Sequence, residues 1–198
     1  MPAFSRAPCR YRSRSRLFTS RAGSSRSREA RGRRRAACVA GDNQEISSTH
    51  ITRHINAPRA KVYGALIDAD AIAKWKVPTG MTSHVHAFEG DEGGTFRISL
   101  TYDAETGTGK TSAHTDTYHG RFVQLVPNER VVEVDEFETA DPTMRGEMTI
   151  TITLSDAPGG GTNLVAVHEG LPPGVSAADN EIGWQSALAR LSALVEAS

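Results

Sequence analysis

One alternating stretch, GEMTITITLS at residues 146–155, decides the fold. Its apolar residues Met148, Ile150, Ile152 and Leu154 fall at every second position, and threonines stand between them. Because neighbouring side chains of a strand point to opposite faces, this period of two predicts a strand with one buried and one wet face. Such a strand needs partners along its edges and a cover over its apolar face.

Similar strand patterns occur on both sides of this stretch. Segments rich in Gly, Pro, Asp and Asn separate them, which favours tight connections between antiparallel strands. A first strand is expected at about residues 46–56, ahead of a region with a different period. The other predicted strands are residues 81–89, 94–103, 112–126, 130–139, 146–155 and 162–170.

Helical patterns occupy two places in the chain. Two short helices are predicted after the first strand, with Pro58 in the first turn of one and Asp70 as the N-cap of the other. After Gly174 the apolar period becomes 3.6, which predicts a long C-terminal helix with one apolar face. That face consists of Trp184, Leu188, Leu191 and Val195.

This order of elements predicts an α+β fold of the helix-grip type. In it, a seven-stranded curved antiparallel sheet surrounds a long C-terminal helix, and two short helices follow strand 1. The long helix is the one element large enough to cover the inner face of the sheet. A curved sheet around a single helix leaves an elongated cavity, and such cavities hold apolar ligands that a few polar groups orient.

The first 45 residues differ in composition from the rest, which predicts a disordered Arg/Ser-rich tail followed by one domain at residues 46–198. Residues 1–41 contain twelve arginines, no lysine and one acidic residue, and both cysteines, Cys9 and Cys38, lie there. Three interpretations stay open for this tail. The tail results from a translation start that is assigned too far upstream, or it is an organellar transit peptide, or it is a basic arm that contacts RNA or anionic lipid.

The rest of the chain is acidic. Of the 23 basic and 23 acidic residues, 11 basic and 22 acidic ones lie at residues 42–198. A nucleic-acid-binding face needs the opposite charge, so we expect no nucleic acid as a partner of the folded part. No apolar run approaches the roughly 18–20 residues of a membrane span. We expect a cytoplasmic protein, or an organellar one if the tail is a transit peptide.

Short motifs follow one another over about residues 46–197. They include Ile55-Asn56-Ala57-Pro58, Gly120-Arg121-Phe122, Arg145-Gly146-Glu147-Met148-Thr149, His168-Glu169-Gly170-Leu171-Pro172 and Gly183-Trp184. In this order they resemble the START-like SRPBCC superfamily, in the branch named after the C-terminal domain of the heat-shock protein 90 ATPase activator homologues. The resemblance implies the helix-grip fold. Members of the superfamily include lipid and hormone carriers, polyketide cyclases and ring-oxygenase subunits.

From fold and resemblance together, we expect non-catalytic binding of a small lipophilic molecule between the sheet and the C-terminal helix. The alternatives are a cyclase or aromatase that uses the same cavity, and a module that regulates a chaperone ATPase with the chaperone as its partner. We expect His84, His86 or Tyr118 to orient the ligand. The residues predicted to line the cavity are Trp75, His84, His86, Phe88, Phe96, Ile98, Tyr118, Phe122, Met148, Ile150, Trp184 and Leu188.

Two further sequence patterns bear on cofactor or metal binding. Residues 104–111 resemble a P-loop with Ala in place of the first Gly, but strand periodicity follows instead of the helix that holds phosphate. A hairpin loop is therefore predicted there. His84 and His86 share one face of a strand, and three interpretations stay open for them. With His114 or His119 they bind a metal, they are polar contacts of the cavity, or they are solvated strand histidines. We expect no metal and no cofactor.

Overall fold

A computed structural model describes residues 48–104 and 109–197. Within these ranges the chain forms seven strands, three α-helices and one 3-10 turn. In chain order they are β1 (Thr49–Ile55), α1 (Arg59–Leu66), α2 (Ala69–Trp75), β2 (Met81–Phe88), β3 (Thr95–Tyr102), β4 (Thr115–Val126), β5 (Arg130–Phe137), the 3-10 turn (Pro142–Met144), β6 (Met148–Asp156), β7 (Thr162–Glu169) and α3 (Ala177–Glu196). The predicted tail lies outside the described residues, as do residues 105–108 of the P-loop-like segment.

The strands form one antiparallel sheet in the order β1-β7-β6-β5-β4-β3-β2. From β2 onward, each strand pairs with the next along the chain, while β1 joins the sheet beside β7 with Ile51 opposite Ala166. The predicted helix-grip architecture is therefore confirmed. No helix of the described part is long and apolar enough to cross a membrane.

The inner face of the sheet and α3 share one hydrophobic core. On β6 the alternating residues Met148, Ile150, Ile152 and Leu154 are all buried, as the period of two predicts. From α3, Leu188 and Leu191 enter the same core, and the helix packs against β1, α1 and α2. The C-terminal half of α3 is thus fixed by apolar burial, which is the main favourable term in folding.

The N-cap of α2 differs from the prediction. The helix begins at Ala69, and its cap is Asp68, whose Oδ1 accepts a hydrogen bond of 2.8 Å from the backbone nitrogen of Ala71. Asp70, the predicted cap, lies in the first turn instead. Aspartate is favoured at both places, as a cap or as a charge beside the helix N-terminus, so the sequence pattern does not separate the two.

Candidate functional site

A pocket of about 500 Å³ lies between the sheet and the N-terminal half of α3. We call it the inner pocket. Its volume falls within the range of roughly 300–1,000 Å³ that is typical of small-molecule sites. Its apolar walls include Leu100, Phe137, Met148, Ile150, Trp184 and Ala187. Strands β3 to β6 supply four of these residues and α3 supplies two, so the pocket lies where the sheet faces the helix.

A buried charged triad forms one part of this site. The Nζ atom of Lys76 donates hydrogen bonds to Oε1 of Glu133 and, at 3.3 Å, to Oδ2 of Asp135. All three residues are at most 7% exposed, and Lys76 and Asp135 line the inner pocket. Charges as deeply buried as these are tolerated in proteins when they are paired. The ammonium group is therefore held by carboxylates of β5.

Burial and charge together set the protonation of the triad. Burial by itself lowers the pKa of Lys76, but the carboxylates of Asp135 and Glu133 outweigh it and leave that pKa raised. Burial raises the pKa of Asp135 to about 7 against the opposing effect of Lys76. The Lys76 ammonium also lies 5.2 Å from the ring centre of Phe96 and 5.4 Å from that of Tyr118. Lys76 therefore stays charged, and Asp135 is the member of the triad whose pKa burial moves towards neutral.

Three pocket-lining residues carry buried polar atoms that no described residue pairs by a hydrogen bond. They are the hydroxyl of Tyr118, Oδ1 of Asp135 and Nε2 of His168, and we call them the three open polar atoms. Leaving such an atom unpaired costs about 1–3 kcal/mol, and native proteins contain few of them. Their concentration around one pocket is typical of a site that a polar partner completes.

His168 is held in one orientation by its neighbours. The amide nitrogen of Asn180 on α3 lies 2.9 Å from Nδ1 of His168 and 3.0 Å from the hydroxyl of Thr49. The ring of Trp184 packs against the imidazole with centroids 4.6 Å apart. Burial, together with the charge of Lys76, lowers the pKa of His168 to about 3. His168 is therefore a neutral imidazole throughout the physiological range.

The local sequence explains how the acidic residues reach the inner face. In β5, Val131, Glu133 and Asp135 alternate with residues of the outer face, and all three are buried. On β4, opposite Asp135, the residue is Gly120. A Cβ atom there would lie 2.6 Å from Oδ1 of Asp135 and 2.5 Å from the ring of Phe96. Glycine is needed at this position because the carboxylate and the ring both approach the backbone of β4.

The structure separates the predicted site residues into three groups. Tyr118, Met148, Ile150 and Trp184 line the inner pocket. A second group belongs to the surrounding hydrophobic core and is absent from the described pocket wall. It consists of Trp75, Phe88, Phe96, Ile98, Phe122 and Leu188. The pattern of apolar residues marks the inner face well, but it does not tell which inner residues border empty space.

The third group, His84 and His86, lies on the exposed outer face of β2. Their rings contact each other with centroids 4.5 Å apart, and Nε2 of His86 is 2.8 Å from the hydroxyl of Ser99. Neither residue reaches the inner pocket, because Met81 and Val85 occupy the inward positions of this strand. Across the described residues, no group of three or more His, Cys, Asp or Glu side chains is placed to hold a metal ion.

The residues predicted to line the cavity do not include Lys76, Asp135 or His168, which the structure places at the inner pocket. A signal was present for Asp135, since charged residues stand at alternate positions of a strand that is otherwise rich in valine. Lys76 carries no local signal, because its partners are more than fifty residues away. His168 ends a strand beside Glu169, and the structure turns the histidine to the pocket and the glutamate to solvent.

The structure describes only part of the P-loop-like segment, because residues 105–108 lie outside the described ranges. Lys110, which stands at the position of a P-loop lysine, forms an ion pair of 2.6 Å with Asp116. The element that follows is strand β4. A P-loop needs a helix at this point to bind phosphate with its N-terminal amides. In the described residues the lysine is therefore engaged with a carboxylate at the pocket wall.

Comparison with known proteins gives one family and many similar structures. The family model described as "Activator of Hsp90 ATPase homolog 1-like protein" matches residues 56–196. A crystal structure of a protein from Chromobacterium violaceum is 33% identical, with a TM-score of 0.68, and the match covers 75% of this chain and 96% of that one.

More distant structures share the fold. A protein from Rhodobacter sphaeroides is 21% identical with a TM-score of 0.62, and the match covers 76% of this chain and 93% of that one. A protein from Arthrobacter aurescens is 15% identical, also with a TM-score of 0.62, over 78% of this chain and 88% of that one. Among curated proteins, none matches the sequence significantly.

Proposed function

Because the chain belongs to the family of Activator of Hsp90 ATPase homolog 1-like proteins, whose fold places a sheet against a C-terminal helix, we propose that it binds a small apolar or amphipathic molecule in the inner pocket. The observation that carries this proposal is the combination of apolar walls with three open polar atoms in a pocket of about 500 Å³. Apolar burial supplies affinity, and a few polar groups supply orientation.

The proposal is tested with the neutral fluorescent probe N-phenyl-1-naphthylamine. We expect saturable binding, seen as a rise in probe fluorescence and as quenching of Trp184, which lines the inner pocket. Replacement of Ala187 by Phe places a ring in the pocket from the side of α3, so it should weaken binding at least about tenfold.

The matched control is the same replacement at Ala193, an exposed residue of the same helix. This variant keeps the helix and adds the same ring outside the pocket, so probe binding should stay as in the wild type. Equal, saturable binding by the wild type and the Ala187→Phe variant would contradict the proposal, provided that circular dichroism shows both to be folded.

A second candidate function is regulation of a chaperone ATPase, which the description of the family favours. It predicts that the purified chain changes the ATPase rate of heat-shock protein 90 and is retained by the immobilised chaperone. An unchanged rate at saturating concentrations of the chain would count against it. The two candidates differ in the part of the molecule they use, because Ala187→Phe should impair pocket binding and leave an effect of the outer surface intact.

A cyclase-like reaction in the same pocket is the third candidate, and Asp135 is the residue that favours it. A general base works best when its pKa is near the operating pH, and burial raises that of Asp135 to about 7. His168 is a weak base because its pKa is lowered to about 3. On this hypothesis, Asp135→Asn abolishes turnover of a ketone substrate while probe binding persists; turnover that survives in the variant would exclude Asp135 as the base.

A further inference from the structure

Two of the three open polar atoms at the inner pocket, on His168 and Tyr118, are hydrogen-bond donors, and these two donors restrict the ligand. The amide nitrogen of Asn180 is a donor, so Nδ1 of His168 accepts its hydrogen bond. The single proton of the neutral imidazole is therefore on Nε2. Since that N–H is one of the open polar atoms, it requires an acceptor from outside the described residues.

Tyr118 supplies a second donor in the same cluster. Burial keeps its hydroxyl protonated, because it raises the pKa of this group. The Lys76 ammonium lies 5.4 Å from the ring centre of Tyr118 and 5.9 Å from that of Trp184, and Trp184 packs on His168. The two donors, on β4 and β7, both line the inner pocket, and the contacts of Lys76 and Trp184 connect them.

The charges of the pocket wall do not favour an anion. The two lysines of the wall are both paired, Lys76 with Glu133 and Asp135, and Lys110 with Asp116. A ligand carboxylate would have to compete with these buried carboxylates for the same cations, in a region where burial of an unpaired charge is costly. A neutral acceptor meets the donors of Tyr118 and His168 without that cost.

Building on the proposed function, we propose that the ligand is a neutral apolar molecule with a carbonyl oxygen, and that this oxygen accepts hydrogen bonds from the Tyr118 hydroxyl and from Nε2 of His168. A carbonyl oxygen has two lone pairs and no proton, which matches two donors. The apolar remainder of the molecule contacts Met148, Ile150 and Ala187.

Three naphthalene probes of similar shape test this proposal by displacement of N-phenyl-1-naphthylamine. 2-Acetylnaphthalene carries the carbonyl group, 2-isopropenylnaphthalene replaces its oxygen by a methylene group, and 2-naphthoate carries an anion. We expect the ketone to bind about tenfold more tightly than the hydrocarbon, the difference that a buried hydrogen bond gives. The anion should bind more weakly than the ketone.

The Tyr118→Phe variant should lose most of the preference for the ketone over the hydrocarbon. It removes an open polar atom from a buried site, so the fold should tolerate it. Tyr63→Phe is the matched control, because Tyr63 is buried on α1 and lies apart from the inner pocket. This control should retain the wild-type preference.

Nitrogen NMR of the histidine rings gives a second measurement on the unaltered chain. The Nε2–H tautomer of His168 should persist from about pH 5 to pH 8, since the pKa of this ring is lowered far below that range. Its signal should shift on addition of the ketone and stay in place on addition of the hydrocarbon. A proton found on Nδ1, or no response to the ketone, would overturn the inference.

The outcomes separate this inference from the proposed function. Equal affinity for the ketone and the hydrocarbon, or tightest binding of 2-naphthoate, overturns the carbonyl inference while binding in the pocket survives. Failure of all three probes to displace N-phenyl-1-naphthylamine overturns the inference by itself. Failure of that reporter to bind the wild type contradicts both.

Discussion

At the scale of single residues, Asp135 makes a distinct contribution to the pH dependence of stability. Its pKa is raised to about 7 in the folded protein, whereas an aspartate in an unfolded chain titrates near about pH 4. Between these values the folded state holds a proton that the unfolded state has lost. The stability that Asp135 contributes is therefore complete below about pH 4 and is lost as the pH rises through about 7.

Replacement of Asp135 by Asn should remove this dependence. The free energy of unfolding of the variant, minus that of the wild type, should rise with pH between about 4 and 7 by at most about 1.4 kcal/mol per pH unit, and then level off. Urea denaturation at several pH values measures it. His168 has a lowered pKa, so its contribution makes the stability rise with pH. Because His168 is present in both proteins, this contribution cancels in the difference. A difference that is constant with pH would refute the raised pKa.

At the scale of secondary-structure elements, the cap of α2 gives a sharp test. Asp68→Ala removes the acceptor for the backbone nitrogen of Ala71 and should lower the free energy of unfolding by about 1 kcal/mol. Asp70→Ala is the control, and it should cost at most a few tenths of a kcal/mol because this residue only adds charge to the first turn. Chemical denaturation compares the two, and a larger effect at Asp70 would restore it as the cap.

A pair of glycines tests the packing of β4 and α1. Gly120→Ala should destabilise the protein by about 3 kcal/mol, because the new Cβ meets Phe96, Asp135 and the backbone of Val134 at 2.5–2.6 Å. Gly64→Ala should instead stabilise it by about 0.5–1 kcal/mol, since this site lies within α1 and no described atom stands within 4 Å of the Cβ. Thermal denaturation gives both signs, and the reverse order would contradict the close approach at Gly120.

The elements were predictable from the sequence, while the site was predictable only in part. Periods of two and 3.6 are local properties, so β6 and α3 could be read from a few residues each. The alternation of β2 also held a usable signal, because Met81 and Val85 share the face opposite to His84 and His86. The pairing of Lys76 with Asp135 is a contact across the fold, and no local pattern indicates it.

At the scale of the whole molecule, the two halves of α3 contact different parts of the protein. The C-terminal half, with Leu191 and Val195, is packed into the core. The N-terminal half, with Asn180 and Trp184, borders the inner pocket and holds His168 in place. We infer that a ligand is bound between a fixed sheet and the part of the helix that is less fully packed.

The predicted domain boundary at residue 46 is also a property of the whole molecule. If residues 46–198 are one domain, a chain that begins at residue 46 should unfold in a single transition at the same urea midpoint as the full chain. The reason is that the hydrophobic core of the described residues already joins the sheet to all three helices. Urea denaturation of the two chains decides it. A lower midpoint for the shorter chain would show that residues 1–45 contribute to stability.

The most direct test of binding in the inner pocket is NMR of the isotopically labelled protein during titration with N-phenyl-1-naphthylamine. We predict saturable shifts for the Trp184 indole and the Gly183 amide, together with nuclear Overhauser contacts from the probe to the methyl groups of Met148 and Ile150. Contacts restricted to outer-face residues such as His84 and His86, or no saturable shift at all, would contradict a ligand between the sheet and α3.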